Sequence, residues 1–472
     1  MKTHCTETTM NVKALGRRTV LADFDGGQIT SDAGAVLLEQ VDRRINLLSR
    51  FGRCFRDHRD PGQLEHPVLD LVRQRIFGLA LGYEDLNDHD ELSRDPMLAT
   101  AVGKADPTGQ SRRRKRDKGR ALAGKSTLNR VELTPEHVSP DARYHKVALD
   151  FDATERLFVD IFLESFTQPP AEIVLDLDTT DDPLYGQQEG RFFNAYYKEY
   201  VYLPLYVFCG RHLLVARLRT ADHDGTDDTV RVLAWLIAII RQRWPGTRII
   251  VRGDSGFCRE PIMSFCEEQP GVHYVLGLPR NSRLEDILRG ELVQAKALYQ
   301  ETGEPARVFK DFTYRTQETW SRERRVVGKA EHLADGPNPR FVVTSLPADE
   351  YDARSLYEDV YCARGEMENR IKEQQLCLFA DRTSTATIRG NQIRLWFSSM
   401  AYVLVSALRR LGLAGTQLAN ARCDTIRLKL LKIGAAIKVT VRHVWISMSS
   451  SYPLHELFRQ VLGRLQAVPL RC

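Results

Sequence analysis

The order of hydrophobic periodicities between Ala171 and Leu278 constrains this chain more than any other feature. Three stretches of strand-like alternation come first: Glu172 to Asp178, Tyr197 to Phe208, and His212 to Arg219, the last two joined by a glycine turn at Gly210. No helical pattern lies between them, so they predict an antiparallel meander. Thr226 to Trp244 then predicts a helix, acidic in its first turn, basic in its last, and stopped by Pro245-Gly246. Further strands are predicted at Arg248 to Val251 and His273 to Leu278. A meander followed by a helical connection and more strands makes a mixed α/β sheet, because parallel neighbours need such a crossover.

The flanks divide the rest. Residues 1–103 open with a strand-like piece, Thr19 to Phe24, and a turn at Gly26-Gly27; helical periodicity follows at Ala33 to Leu48 and Pro67 to Leu81. This predicts a mainly helical N-terminal domain. Residues 104–145 read as a basic linker, and 146–280 as the first part of the sheet domain. Three more strand candidates, 307–315, 319–331 and 340–346, make 281–346 a β-rich insertion. Helices return at Tyr357 to Gln375 and Gln392 to Leu411, so 347–410 closes the interrupted domain and 411–472 is a basic C-terminal region.

The 472 residues are 43% hydrophobic and 27% charged, which excludes disordered, collagenous and disulfide-stapled classes. The net charge of +5 is uninformative until it is partitioned. Residues 104–130 carry ten Lys/Arg against two acids, and 409–472 carry eleven against two, leaving −12 for the rest. Nine scattered cysteines, with no CxxC pair, predict reduced thiols. No apolar run approaches the roughly 20 residues of a membrane span, and the N-terminus has no signal-like core, so a cytoplasmic protein is expected.

Three motifs compete for the chemistry. Gly119 to Ser126 spells the phosphate-cradling GxxxxGK[ST] pattern, but SRRRKRDK precedes it where a buried strand must deliver the loop, so a solvated basic segment is the better reading. Asp176-Leu177-Asp178-Thr179-Thr180 has the DxDxT form of haloacid dehalogenase-like phosphatases, with Asp176 as nucleophile and Asp178 as acid. That fold wants a crossover helix soon after the first strand, and here two more strands intervene. The third is dispersed: Asp178 on the first strand, Asp254 just past a later one, and Glu368 on a distant helix. This order is that of a ribonuclease H-like core, and three hard carboxylates suit a pair of Mg²⁺ ions, with Mn²⁺ as a substitute, at a phosphodiester. At about 100° per residue Tyr361, Arg364, Glu368 and Lys372 share one helix stripe roughly 80° wide, whereas Glu366 points away.

The chain resembles the DDE transposases of bacterial insertion sequences, in particular the insertion sequence 1380 family, a relative of the insertion sequence 4 group. The passages DFDGGQITSDAGAVLL, RIFGLALGYEDLNDHDEL, LAGKSTLNRVEL, LDLDTTDDPLYGQQEG, RGDSGF and YCARGEMENRIKE carry the resemblance over most of the chain. It implies a ribonuclease H-like catalytic core (mixed sheet with helices) interrupted by a β-rich insertion, with Asp178, Asp254 and Glu368 as catalytic and metal-binding residues. It further implies that the mainly helical N-terminal domain is a DNA-binding domain, and implies binding of terminal inverted repeats, cleavage at the ends, and joining of the 3′-OH ends to target DNA. Of the related group's Y-x2-R-x3-E-x6-K signature, Tyr361, Arg364 and Glu368 match, while Gln375 stands at the lysine position and Lys372 is the nearest basic replacement.

The expected partners are double-stranded DNA, as element ends and target, and a second copy of the chain to pair two ends, at the nucleoid of a bacterial cytoplasm and with no membrane. Phosphate contacts are expected from Tyr361, Arg364, Lys372, Arg112, Arg113, Arg114, Lys115, Arg116 and Lys125. Trp320 is a stacking candidate for an unpaired base, weighed against burial in a sheet. His145, His223 and His443 receive no role. A metal-dependent phosphatase and a DNA-binding protein with a decayed site remain the competing classes.

Overall fold

Between Asp150 and Ser399 the chain builds one large mixed sheet, and its strands are labelled β1 (Glu172–Thr179), β2 (Leu205–Cys209), β3 (His212–Arg217), β4 (Arg248–Gly253), β5 (Val272–Leu278), β6 (Ala306–Tyr314), β7 (Arg324–Leu333) and β8 (Arg340–Thr344). The computed structural model describes residues 9–470 apart from 140, 223–225 and 227; Cys5, Cys472 and His223 lie outside the described residues. Two units result, Met1–Leu149 with Met400–Cys472, and Asp150–Ser399.

The strand order is β3-β2-β1-β4-β5-β8-β7-β6, with Gly336–Pro337 pairing β7 off this path. β1, β2 and β3 form the antiparallel meander, and β1, β4 and β5 are mutually parallel. The parallel pairs need crossovers, supplied by α1 (Thr229–Arg243) and α2 (Glu260–Glu268). The second expected strand is shorter than its periodicity predicted. The chain breaks at Leu203-Pro204, because proline has no N–H for the ladder, and Glu199–Tyr202 instead joins Asp182–Pro183 and Phe192–Asn194 in a separate three-stranded ribbon.

The segment 281–346 also departs from expectation. It opens with two helices, α3 (Ser282–Ile287) and α4 (Arg289–Thr302), and its three strands continue the same sheet. The two faces alternate without interruption across it: Ile249, Val251, Tyr274, Leu276, Val326, Phe341 and Val343 face one core, while Ile250, Val275, Val327 and Val342 face the other. β8 pairs with β5 at Val275↔Thr344, so the inserted strands share their apolar faces with the parallel ones.

The first face is covered by α1, α2 and α4. The second is covered by the run Leu356 to Leu378, through Leu356, Tyr357, Val360 and Tyr361. That run is not a uniform helix. It passes from a π segment (Leu356–Tyr361) through a 3₁₀ turn (Cys362–Arg364) into α5 (Gly365–Leu378). A wide turn of this kind re-aims the side chains that follow it.

The other unit is mainly helical. Its passages RIFGLALGYEDLNDHDEL and LAGKSTLNRVEL meet in a buried ion pair, Arg75 Nε to Glu132 Oε1 at 2.5 Å, and in the reciprocal bonds of Gln74 with the backbone of Ala123. Asp32, from the first motif, accepts from Tyr83 at 2.6 Å and pairs with Lys432 at 2.7 Å. Within this unit residues 104–132 lie folded against helix Val68–Leu81, with Ala121, Leu122 and Ala123 buried. Among the described residues there is no disulfide, and no helix is long and apolar enough to cross a membrane.

Candidate active site

β1 alternates cleanly. Leu175 and Leu177 enter the first core, so Asp176 and Asp178 project from the opposite face, the one roofed by the Leu356–Leu378 run. Parallel pairing puts Leu177 beside Gly253, so Asp178 at the end of β1 and Asp254 at the end of β4 stand on neighbouring strands, about 4.8 Å apart in the pairing direction. Asp254 leaves the strand as the cap of a short 3₁₀ turn, its Oδ1 accepting from the Gly256 amide at 2.9 Å.

Arg364 joins the third acid to the first. Its guanidinium lies 3.6 Å from Asp178 Oδ2 and 2.5 Å from Glu368 Oε1. Burial pushes the Asp178 carboxyl up to about 7; Arg364 opposes this, and the charges of Asp254 and Glu368 add to it. The charges of Asp254 and Glu368 thus reach one partly desolvated carboxyl, Asp178, and the Arg364 guanidinium offsets them.

Tyr361 completes the cluster from above β5. A methyl group built on Gly277 would lie 2.6 Å from the Tyr361 hydroxyl and 2.9 Å from the Ser255 amide nitrogen. Only glycine lets the tyrosine close over the strand next to Asp254. Gly277→Ala is expected to keep the fold and to lower the activity of the site by about 10- to 100-fold through displacement of these two groups, checked by single-turnover kinetics alongside a thermal melt.

The two aspartates of β1 have separate fates. Asp176 is buried and receives two hydrogen bonds from Arg252, Nε to Oδ1 at 2.5 Å and Nη2 to Oδ2 at 2.8 Å. The phosphatase reading needs Asp176 free as a nucleophile and a crossover helix after β1; the carboxylate is instead held by Arg252 and the next sheet strand is the antiparallel β2. That alternative has no support.

The remaining expectations divide similarly. Lys372 is exposed and has no ion-pair partner among the described residues. Gln375, at the signature's lysine position, donates to the Asp181 carbonyl at 3.2 Å and to Asp182 Oδ1 at 3.3 Å; burial holds the Asp182 carboxyl far above the usual carboxylate range. Gln375 thus secures the loop after β1, where an ammonium would meet a carboxyl kept neutral. Trp320 is only 5% exposed, its ring edge-on to Tyr314 and covered by Arg324, so the stacking role expected of it is withdrawn: no face is open to a base.

Sequence reasoning missed the ribbon between β1 and β2. Tyr185, Phe192, Phe193, Tyr196 and Tyr200 are all exposed there. Tyr197 is pushed up to about 12 by burial, with smaller contributions from Asp181, Tyr196, Asp178 and Asp254, which places this ribbon beside the acids. Its signal was the aromatic density of RFFNAYYKEYVY, read there as part of a strand.

In the other unit the basic run is only partly free. Arg112 binds Glu65, His66 and the Arg120 carbonyl; Arg113 donates to the Gly62 carbonyl at 2.6 Å; Lys125 donates to Asn87 at 2.8 Å and lies 3.4 Å from Asp90. Lys125 opens a helix that no strand precedes, so the GxxxxGK[ST] match is not a phosphate loop. Arg114, Lys115 and Arg116 are exposed.

A family model described as Transposase DDE domain group 1 matches residues 12–470. The chain belongs to this family. No curated protein matches it significantly. Among solved structures it is similar to the cryo-EM structure of a piggyBac transposase synaptic complex with hairpin DNA, at 10% identity over 94% of this chain and 86% of that one, with a TM-score of 0.38. DDE transposases use divalent metal ions. Asp178, Asp254 and Glu368 fit such ions in donor chemistry, being hard oxygen ligands whose charges a cation offsets. As placed, no three acidic, histidine or cysteine side chains among the described residues converge closely enough to hold one, and Arg364 is the cation that bridges Asp178 and Glu368.

Proposed function

We propose that this member of the DDE transposase family is a bacterial insertion-sequence transposase of the 1380 family, with a ribonuclease H-like core, acting on terminal repeats and joining 3′-OH ends to target DNA. One observation carries the reading: Arg364 bridges an acid near the end of one parallel strand to an acid on a distant helix, and a third acid ends the adjacent strand. The strand order β3-β2-β1-β4-β5 supports the core assignment.

Asp178, Asp254 and Glu368 would hold two Mg²⁺ ions. When bound, such ions polarise the scissile phosphodiester and lower the pKa of water that attacks it. Arg364, released from the carboxylates it now bridges, donates to phosphate oxygens, and Lys372, one turn beyond Glu368, adds a second cation to the same stripe. Tyr361 is held over β5 within reach of a phosphate at Asp254. The exposed ribbon aromatics offer faces to bases near the cut in place of Trp320. Pairing two ends calls for a homodimer.

Labelled duplex carrying the element's terminal repeats tests the reading directly. Cleavage at the repeat boundary with Mg²⁺, and none with EDTA, is expected. Hydrolysis of small phosphate esters without DNA cleavage would overturn it.

A further inference from the structure

The unit formed by Met1–Leu149 and Met400–Cys472 contains a concavity of about 520 Å³ whose wall includes Arg114, Arg120, Arg130, Arg143, Lys146 and His66. The acids in its wall are already engaged: Glu65 pairs with Arg112, Asp60 caps the turn at Gly62 at 2.8 Å, and Asp117 lies 3.9 Å from Arg116. Three of the cations are not. Arg114, Arg120 and Lys146 have no side-chain ion pair among the described residues. Such a concentration of unpaired like charge in one hollow disfavours the folded chain by self-repulsion, and an anion relieves it.

His66 gives an independent sign of a missing acceptor. Its Nε2 faces Arg112 Nη1 at 2.7 Å, and a guanidinium only donates, so Nε2 accepts and the proton sits on Nδ1. Burial and the neighbouring cations Lys104, Arg112 and Arg59 push this imidazole down to about 3, which keeps it neutral. The buried Nδ1 has no hydrogen-bond partner. An N–H without an acceptor, in the wall of a hollow lined with cations, suits an oxygen-rich anion.

The edge of the hollow supplies something a free anion does not use. Tyr144 is 51% exposed, and the guanidiniums of Arg130 and Arg143 lie 4.8 and 5.1 Å from its ring centroid. An exposed aromatic edge flanked by two guanidiniums beside a hollow of this size is an arrangement that receives a nucleotide, its sugar against the ring edge and its phosphate on the guanidiniums.

We infer that this concavity is a DNA-backbone site, with phosphates at Arg114, Arg120 and Lys146 and the adjoining nucleotide against Tyr144. It rests on the proposed action on DNA and narrows where the contacts are made. The basic run splits in two: Arg112 and Arg113 are used by the fold, and Arg114 is the member that lines the hollow.

The test is fluorescence-anisotropy titration of the full chain against repeat-bearing duplex over a range of salt. The triple variant Arg114→Ala, Arg120→Ala, Lys146→Ala is compared with the charge-matched Lys115→Ala, Arg116→Ala, Lys118→Ala. The first is expected to weaken binding about tenfold or more at 0.15 M salt and to flatten the log–log salt slope by about 2 to 3, against about threefold and a change below about 1 for the second. Tyr144→Ala is expected to weaken binding about fivefold or more with the slope unchanged, since contact with an uncharged ring releases no counterions. Thermal melts of all variants should match wild type, because the removed side chains make no buried ion pair: the one they make, Arg116 with Asp117 at 3.9 Å, is at the surface.

Equal effects of the two triple variants, or none from the first, would overturn the site while leaving the DNA reading intact. Absence of any DNA binding by the wild-type chain would instead overturn the reading. Displacement of DNA by millimolar inorganic phosphate at constant ionic strength would reassign the hollow to a free anion.

Discussion

Asp178→Asn, Asp254→Asn and Glu368→Gln are each expected to lower end cleavage by about 10³-fold or more while leaving DNA affinity within about threefold of wild type. The asymmetry follows from where the charges lie. Asp178 and Asp254 stand at strand ends of the sheet unit, and Arg364 bridges Asp178 to Glu368. Neutralising one acid removes a hard ligand worth several kcal/mol of transition-state charge stabilisation, which is the origin of the factor, and combining two substitutions should cost little more than one because the acids act as a unit. Phosphate affinity comes from cations that these substitutions do not touch. Cleavage that persists in Asp254→Asn or Glu368→Gln with Mg²⁺ would refute the triad; loss of binding in step with loss of cleavage would show that the substitutions act through the fold.

The second large effect separates the two aspartates of β1 by stability rather than activity. Arg252→Ala leaves Asp176 buried with its main partner gone and is expected to cost about 3–5 kcal/mol, lowering Tm by roughly 10 °C. Asp178→Asn goes the other way. The folded-state pKa of Asp178 lies at about 7, above its ordinary value of 3.8. Such a group contributes stability that is fully present below the ordinary value and is lost as pH rises through the folded one. Wild type therefore weakens relative to the asparagine variant between about pH 4 and pH 8, and at pH 8 the variant is expected to be more stable by roughly 2–4 kcal/mol without divalent ions. Denaturant melts at pH 5 and pH 8 read this directly. Adding Mg²⁺ should raise the wild-type Tm and leave Asp178→Asn unmoved, since an ion bound only by the folded state stabilises it by mass action. A wild-type and variant difference independent of pH would mean that the Asp178 carboxyl is not held in a partly desolvated place that other carboxylate charges reach.

Much of this site was legible before any coordinates. Period-2 alternation put Asp176 and Asp178 on one face of one strand, and the apolar run before Arg252-Gly253-Asp254 put the next acid at a strand end; both follow from local geometry. The helical stripe through Arg364 and Glu368 was legible for the same reason, and their 2.5 Å contact is the i,i+4 neighbour relation. Gly277 was not legible, because a glycine inside the apolar run of β5 gives no sign that a tyrosine from 84 positions later will close over it. Nor was the loss of Trp320 to the core, where Tyr314 and Arg324 meet it from two different strands.

The sequence by itself determined most of the sheet strands, the long helices and their order, though not α3, α4 or the ribbon before β2, since periodicity and charge at helix termini act over a few residues. Tertiary structure decided which of those residues were spent. It assigned Asp176 to Arg252 and left Asp178 among like charges; it merged residues 281–346 into the sheet through β8; and it consumed Arg112 and Arg113 while leaving Arg114, Arg120 and Lys146 without partners. Each of these outcomes depends on a partner distant in the chain. Pairing energies are set by burial and distance, and neither is written in the local pattern.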